Sequence, residues 1–197
     1  SKKPIIIFEG IEGSGKSHHI NNVANYLRKK NKKFIQIREP GGNKNSEKIR
    51  KLILDNKSTF NQYTDLLLYL SARSENVELI RKNYKKKIIL IDRFVDSTIA
   101  YQHYGMGVNI KLINTINDFL LKGIKIDFTF LNLVNQKNMR ARLLKRKKLN
   151  RYDQFNGSFY KRVQDGFIKI VKKKPNNYMK IDSNLSIADN KNKILNK

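Results

Sequence analysis

The sequence predicts an α/β fold, a doubly wound five-stranded parallel sheet flanked by helices. Short apolar runs rich in β-branched residues recur along the chain, and longer amphipathic segments separate them, an alternation typical of a parallel sheet. Two of these runs, residues 5–8 and 88–91, are apolar throughout, as expected for strands buried on both faces. The 197 residues are enough for one domain with such a core, so we expect a single domain over residues 1–197.

The individual elements follow from the same alternation. Strands are expected at residues 5–8, 34–37, 88–91, 128–133 and 178–181. Helices are expected at residues 17–30, 46–54, 63–84, 97–104, 110–121, 136–147, 159–172 and 187–195. A polar, lysine-rich stretch at residues 145–157 lies between two of these helices and is predicted to form a mobile lid.

The composition excludes several classes of protein. The chain has no cysteine, so disulfides and thiolate metal sites play no part, which fits a reducing compartment. No apolar run approaches the length of a membrane span, and the first residues lack the apolar core of a signal peptide. We therefore expect a cytoplasmic protein with no membrane partner.

The formal net charge of +26 suggests a nucleic-acid partner, because a dense positive field attracts polyphosphate backbones. The basic residues, however, comprise 31 lysines and only 11 arginines, whereas phosphate and base recognition favours the arginine fork. The chain also carries 24 asparagines and 24 isoleucines, which adenine- and thymine-rich codons specify together with lysine. Mutational drift on a solvated surface is the favoured interpretation, with a selected nucleic-acid patch as the alternative.

A glycine-rich loop follows the first predicted strand and precedes the first helix, the context that a P-loop requires. Its glycines allow backbone N–H groups to converge on phosphate oxygens, Lys16 adds positive charge, and the Ser17 hydroxyl is a candidate magnesium ligand. The expected occupant is a nucleoside triphosphate, and the alternative is a glycine-rich turn without a ligand. The loop comprises Gly10, Ile11, Glu12, Gly13, Ser14, Gly15, Lys16 and Ser17.

An acid and a base, Asp92 and Arg93, close the third predicted strand. Ligands of open α/β sheets bind at the carboxyl ends of the strands, so both side chains are expected beside the P-loop. Asp92 is a candidate to hold magnesium through water, and Arg93 to grip a second phosphate. The alternative is a surface ion pair at a strand end.

Two weaker signals accompany this pair. The second strand ends in Arg38-Glu39-Pro40-Gly41-Gly42, where glycines after a proline permit a tight turn over a ligand. Tyr69 and Arg73 are four residues apart on a predicted helix, so they project from one face and suit the recognition of a nucleobase. Taken alone, core packing of Tyr69 and exposure of Arg73 to solvent would explain this second pattern.

Together these motifs resemble the thymidylate kinase family in its bacterial form. The resemblance runs nearly end to end through three motifs: Phe8-Glu9-Gly10-Ile11-Glu12-Gly13-Ser14-Gly15-Lys16-Ser17, Arg38-Glu39-Pro40-Gly41-Gly42, and Asp92-Arg93-Phe94-Val95-Asp96-Ser97-Thr98-Ile99-Ala100-Tyr101-Gln102. It implies a fold like that of P-loop nucleoside monophosphate kinases and transfer of the γ-phosphate of ATP to dTMP, giving dTDP and ADP. It further implies Mg²⁺ as cofactor and a homodimer, for which residues 110–121 are a candidate interface.

The resemblance also assigns roles within the dTMP site. Tyr69 matches the aromatic residue that stacks on thymine, Arg73 the arginine that hydrogen-bonds the base, and Arg93 the arginine on the dTMP phosphate. Tyr101 matches the tyrosine that disfavours a 2′-hydroxyl. The implied dTMP-binding residues are Glu12, Glu39, Pro40, Arg50, Tyr69, Arg73, Arg93, Ser97, Thr98, Tyr101 and Gln102.

Bacterial members place an arginine in the lid and none in the P-loop, and this chain has the same arrangement. Arg146 and Arg151 lie in the lid, Arg151 matches the arginine of the family's Leu-Asp-Arg lid motif, and Arg142 is the candidate for packing on adenine. His18, directly after the P-loop, joins Arg142 and the loop itself in the implied ATP site. The implied catalytic residues are Lys16, Arg93, Arg151, Arg146 and Glu12.

Five positions depart from the family pattern, and only Tyr69, where phenylalanine is usual, bears on the base pocket because its hydroxyl needs a partner or water. The others are Phe94, Asn43, His18 and Asn150.

Two other functions remain open from the residues alone. A P-loop ATPase acting on nucleic acid would suit the charge, but its strand typically ends in Asp-Glu, and here Arg93 follows Asp92. The second alternative is a kinase with another nucleoside monophosphate or a deoxynucleoside as acceptor.

Overall fold

The computed structural model describes residues 2–197 and contains a five-stranded parallel sheet. The strand order β2-β3-β1-β4-β5 and the parallel pairing confirm the predicted α/β class. The strands are β1 (Ile5–Glu9), β2 (Phe34–Arg38), β3 (Ile88–Asp92), β4 (Phe128–Leu133) and β5 (Tyr178–Asp182).

The α-helices of the described residues are α1 (Lys16–Lys29), α2 (Lys44–Leu54), α3 (Gln62–Asn83), α4 (Val95–Thr98), α5 (Ile110–Leu120), α6 (Gln136–Leu144), α7 (Gly157–Lys173) and α8 (Ile187–Leu195). A π-helix, Ile99–Gly105, continues directly from α4, and short 3₁₀ turns occur at Arg151–Gln154 and Pro175–Asn177. None of the helices in residues 2–197 is both long and apolar enough to cross a membrane.

Apolar side chains cover both faces of the sheet, as the continuous hydrophobicity of β1 and β3 predicts. On one face, Ile7 and Ile91 pack with Ile80 of α3. On the other face, Phe8 and Leu90 pack with residues of α1 and α8. Burial on both faces is the property of a doubly wound sheet, and it directs the polar residues to the strand ends.

The sequence predicted most element boundaries closely, and the differences have local causes. Helix α2 begins before the predicted residue 46 because the Asn43 side chain accepts hydrogen bonds from Asn45 N and Ser46 N, which caps the helix. The predicted helix at 97–104 is instead a short α-helix followed by a π-helix, a rare form that often marks a functional segment. Helix α6 stops at Leu144, so the lysine-rich end of the predicted helix belongs to the lid segment.

The lid segment, residues 145–157, contains a 3₁₀ turn. Asn150 and Asp153 form a reciprocal capping box at its start, and Tyr152 inside the turn is buried. Part of the segment therefore has a defined packing against the rest of the chain, and its mobility remains a prediction.

Candidate active site

The P-loop lies between β1 and α1 at the carboxyl edge of the sheet. Gly10 has φ 138° and its position leaves no room for a Cβ, which would collide with the backbone oxygen of Asn132. Gly13 and Gly15 also have positive φ, which side chains disfavour. The resulting turn is the tight backbone that a phosphate cradle requires.

Lys16 is buried beneath this loop. Its Nζ donates to the backbone oxygen of Ile11 at 2.8 Å and lies 3.4 Å from Ser14 Oγ. Burial, followed by repulsion from Arg93, lowers the pKa of Lys16 to about 7. An anion bound at the loop would favour the charged ammonium and raise this pKa again.

Ser17 and Asp92 meet at the end of β3. Ser17 Oγ donates to Asp92 Oδ2 at 2.8 Å, whereas Asp92 Oδ1 is buried without a hydrogen-bond partner. Mg²⁺ prefers oxygen ligands and commonly binds through one or two protein oxygens, several waters and substrate phosphates. The hydroxyl and the unpartnered carboxylate oxygen fit such a site, and residues 2–197 contain no cluster of three or more His, Cys, Asp or Glu side chains that would hold a metal alone.

Arg93 follows Asp92 in a left-handed conformation, with φ 67°. Its guanidinium donates to Gly10 O at 2.9 Å and to Glu12 Oε1 at 2.8 Å, and it lies 5.2 Å from the centre of the Tyr101 ring. Burial opposes the ionisation of Glu12, but Arg93 and Lys16 outweigh it, so the pKa of Glu12 lies below its ordinary value. The Tyr101 hydroxyl also donates to Glu12, and the result is an arginine held at the mouth of the P-loop.

A cavity of about 200 Å³ extends from this arginine to α3. It brings together all eleven residues that the resemblance assigns to dTMP, together with Lys16, Ser17, Asp92 and Arg146. Residues without a sequence-based role complete the wall: Arg38, Leu54, Phe94, Asn150 and Tyr152.

Arg73 lines the cavity from α3 and is 2% exposed. Its guanidinium donates to Glu39 Oε2 at 2.9 Å, Asn117 Oδ1 at 2.7 Å and Thr98 Oγ1 at 3.0 Å, and it packs on the Phe94 ring. Exposure to solvent, the alternative for an isolated arginine, is therefore wrong. The side chain is fixed before any ligand arrives.

Three further predicted residues have identified contacts at the cavity. Glu39 is the ion-pair partner of Arg73. Arg50 donates to the backbone oxygen of Pro40 at 2.6 Å, so the turn after β2 orients this arginine. Tyr69 packs edge-on against Tyr152 of the lid, with ring centres 6.0 Å apart.

The two lid arginines have different positions. Arg146 lines the cavity and pairs with Asp153 at 2.6 Å. Arg151 does not line it, because its guanidinium pairs with the buried carboxylate of Asp65 and donates to Ile53 O at 3.1 Å. The structure therefore places Arg146, and not Arg151, beside the residues predicted to bind the acceptor.

A second, smaller cavity lies on the other side of the P-loop. Arg142 borders it and donates to Gly13 O at 2.8 Å and to Ser183 O at 2.6 Å. His18 lines the same cavity. Both residues of the implied ATP site outside the loop thus lie together beside it.

Sequence reasoning missed Glu9, the last residue of β1. This buried carboxylate accepts hydrogen bonds from Phe94 N at 2.8 Å, Ser97 N at 3.2 Å and the Ser97 hydroxyl. Burial and the neighbouring Asp96 raise the pKa of Glu9 to about 7. Glu9 supports the turn that carries Arg93, and an acid closing an otherwise apolar strand was the available signal.

A P-loop on a parallel sheet, facing an arginine-lined cavity at the same edge, defines a kinase whose acceptor is itself a phosphorylated molecule. A family model described as thymidylate kinase matches residues 8–194. The chain belongs to the thymidylate kinase family, whose reaction is transfer of the γ-phosphate of ATP to dTMP, and it is accordingly a phosphotransferase.

Individual relatives agree with this assignment. The chain is 39% identical over 184 residues to thymidylate kinase of Thermosipho africanus, covering 92% of this chain and 90% of that protein. It is 35% identical over 185 residues to thymidylate kinase of Staphylococcus epidermidis, with coverage of 92% and 90%. The crystal structure of thymidylate kinase from Ehrlichia chaffeensis superposes with a TM-score of 0.80 at 32% identity, covering 100% of this chain and 98% of that one.

Proposed function

We propose that the larger cavity binds dTMP and that ATP at the P-loop donates its γ-phosphate to it. The observation that supports this most strongly is that Arg93 contacts the P-loop at Gly10 and Glu12 and lines one cavity together with Lys16, Tyr69 and Arg73. One cavity thus offers a phosphate-binding end next to the donor site and an aromatic, arginine-lined end for a base.

On the donor side, the P-loop amides and Lys16 hold the β- and γ-phosphates. Ser17 and Asp92 would hold Mg²⁺, Asp92 through water, and the cation when bound neutralises charge between these phosphates. Arg142 and His18 flank the cavity in which the adenine is proposed to bind. The Arg142 guanidinium is held by two backbone oxygens and so presents a fixed surface.

On the acceptor side, Arg93 aims the dTMP phosphate at the donor and Arg50 adds charge. Glu12 orients Arg93, and Tyr101, which donates to Glu12, restricts the space beside the sugar. Tyr69 stacks on thymine. No general base is needed, because a phosphate acceptor is already ionised at neutral pH.

The remaining polar residues of the acceptor pocket position the base. Thr98 accepts a hydrogen bond from Arg73, and Gln102 lies 3.4 Å from the Tyr152 hydroxyl. Ser97 lies 3.3 Å from the Arg93 guanidinium, and Glu39 with Pro40 closes the side facing β2. These contacts support a rigid pocket that selects one base.

Arg146 is the lid residue that we propose to stabilise charge on the transferring phosphoryl group. An arginine in this role contributes about 10³-fold or more to turnover. Arg151 contributes through the docking of the lid onto the rest of the chain.

We also propose that the chain works in the cytoplasm as one domain over residues 1–197, with a lid at 145–157 and no specific nucleic-acid partner. Its basic residues are mostly lysines spread along the chain. The absence of cysteine fits a reducing compartment.

A homodimer through α3 and α5 is part of the proposal. These helices pack on each other around Leu66 and Ile113, yet both leave apolar side chains in solvent. Leu67 is 55% exposed and Phe119 is 79% exposed. Exposed apolar residues on adjoining helices favour burial against a second copy.

The dimer is tested by sedimentation velocity of Phe119→Glu. We expect this variant to be monomeric at concentrations where the parent chain is dimeric. Leu144→Glu, which alters an equally exposed leucine on α6, is the matched control and should not change the mass. A monomeric parent chain, or a dimeric Phe119→Glu variant, would contradict the proposed interface.

The reaction is tested by a coupled assay of ADP release with dTMP, dUMP, dGMP, dCMP and thymidine as acceptors. We expect turnover that depends on an acceptor and is fastest with dTMP. Preference for another acceptor would redirect the assignment of the pocket. ADP release without any acceptor, stimulated by DNA, would instead support the ATPase alternative.

A further inference from the structure

A buried carboxylate of α3 contacts two neighbouring residues of the lid. Asp65, in the first turn of α3, is 2% exposed, and it pairs with the Arg151 guanidinium through Oδ1. Its second oxygen accepts a hydrogen bond from the Tyr152 hydroxyl at 2.9 Å. Both lid residues thus converge on a single group that lies outside the acceptor cavity.

Tyr152 connects this attachment to the predicted base pocket. Its ring is 2% exposed and lies edge-on to Tyr69 at 6.0 Å and to Tyr101 at 5.9 Å. The Gln102 amide lies 3.4 Å from the same hydroxyl that donates to Asp65. The Tyr152 side chain therefore links Asp65 to the aromatic wall of the pocket, and a change in its hydrogen bond to Asp65 would shift the ring beside Tyr69 and Tyr101.

The same 3₁₀ turn orients Arg146. Asp153 accepts from Arg146 at 2.6 Å, and its other oxygen accepts from Asn150 N at 3.0 Å, which closes the capping box. Arg151 and Tyr152 lie within this short turn, so fixing them at Asp65 also fixes Asp153 and, through it, Arg146. Side chains held by packing and secondary contacts are the ones that reach catalytic precision.

We propose that Asp65 is a positioning residue that docks the lid through Arg151 and Tyr152 and thereby holds Arg146 over the acceptor cavity. This inference rests on the proposed function, since it needs Arg146 to act on the transferring phosphoryl group. It assigns Arg151 an indirect role and makes the lid position sensitive to the packing of the base pocket.

A double-mutant cycle tests the proposal, because residues that act through one another give non-additive effects. Asp65→Asn keeps the volume and one acceptor oxygen but removes the negative charge that pairs with Arg151, so we expect a displaced lid and a fall in kcat of roughly 10- to 100-fold. Arg146→Ala should lower kcat by about 10³-fold. In the double variant, kcat should match that of Arg146→Ala alone within about twofold.

Asp165→Asn is the matched control, because Asp165 is an exposed carboxylate paired with Lys161 on α7. It should leave kcat unchanged. Tyr152→Phe provides a second variant that removes only the hydroxyl facing Asp65 and keeps the ring against Tyr69. It should lower kcat and show the same non-additivity with Arg146→Ala.

The outcomes separate the two proposals. Unchanged kcat in Asp65→Asn, or effects that multiply in the double variants, would overturn the positioning role while leaving the kinase assignment intact. Wild-type turnover in Arg146→Ala would overturn the catalytic role of Arg146 and the positioning role built on it. Absence of dTMP-dependent turnover in the parent chain would overturn the proposed function itself.

Discussion

Arg93 has two separable properties, a guanidinium in the cavity and a left-handed backbone, and two substitutions distinguish them. Arg93→Ala and Arg93→Gly both remove the hydrogen bonds to Gly10 O and Glu12. An arginine acting on a phosphoryl group contributes about 10³-fold to turnover, or roughly 4 kcal/mol of barrier. Both variants should therefore lose about the same large fraction of kcat.

The two variants should differ in stability. Removing one partner of a fully buried ion pair costs about 3–5 kcal/mol, and we expect roughly 2 kcal/mol here because the pair borders a cavity that water can enter. A φ of 67° costs a side-chain-bearing residue about 1–2 kcal/mol, which glycine avoids. Glycine loses about 0.5–1 kcal/mol more backbone entropy on folding, so the net advantage of Arg93→Gly over Arg93→Ala is roughly 0.5–1 kcal/mol.

Urea denaturation and the coupled ADP-release assay measure the two effects independently. We expect the order of stability to be parent, Arg93→Gly, Arg93→Ala, with both variants folded and almost inactive. Near-normal turnover in either variant would refute the role of the guanidinium. An alanine variant as stable as the glycine variant would refute the estimate of the backbone cost.

Three further predictions concern titration and the base pocket. The pKa of Lys16 is about 7 in the free protein, so ATP binding at pH 8.5 should protonate its amine and take up protons from solution. Calorimetry in buffers of different ionisation enthalpy should detect this proton uptake. The Lys16→Arg variant stays charged and should show no such uptake. The pKa of Glu9 is about 7 in the folded protein and 4.5 as its ordinary value, so folding favours the protonated carboxyl group. The stability that this preference contributes is fully present below pH 4.5 and is lost as the pH rises through 7. Urea denaturation from pH 5 to 8 should therefore show a smaller decline for Glu9→Gln than for the parent, and equal slopes would contradict the shift. Tyr69→Phe keeps the ring that faces the cavity, so the KM for dTMP should change less than about threefold. Tyr69→Ala removes the ring and should raise this KM more than about tenfold. Similar KM values for the two variants would argue against stacking on the base.

Local patterns were sufficient for the sheet and for part of the larger cavity, and the family resemblance supplied the remaining predicted residues of that cavity. The apolar runs predicted all five strands, and the two runs that are apolar throughout form the interior strands β1 and β3, where burial on both faces leaves a continuous signature in the sequence. Motifs at strand ends placed Lys16, Asp92 and Arg93 at one cavity, because the carboxyl ends of parallel strands lie at one edge. The π-helix at Ile99–Gly105 was not predictable in this way, since its apolar spacing resembles that of an α-helix over so short a segment.

The buried polar contacts could not be predicted from the sequence, because they join residues that are far apart in the chain. The residues that hold Arg73 come from the turn after β2, from α4 and from α5, so no regular spacing along the chain indicates them. Glu9 contacts Ser97, which lies 88 residues away. Whether such a carboxylate is buried, and which groups donate hydrogen bonds to it, depends on how distant segments of the chain pack.

By itself, the sequence determined the α/β class, the P-loop and the family, because each depends on residue types at short, fixed separations. The tertiary structure decided how the two lid arginines are used. Arg146 borders the cavity, whereas Arg151 pairs with Asp65, 86 residues earlier in the chain. The two arginines differ in this way because a 3₁₀ turn of the lid docks onto α3. The buried carboxylate of Asp65 pairs with the arginine that lies near it in three dimensions, and a linear motif does not encode that proximity.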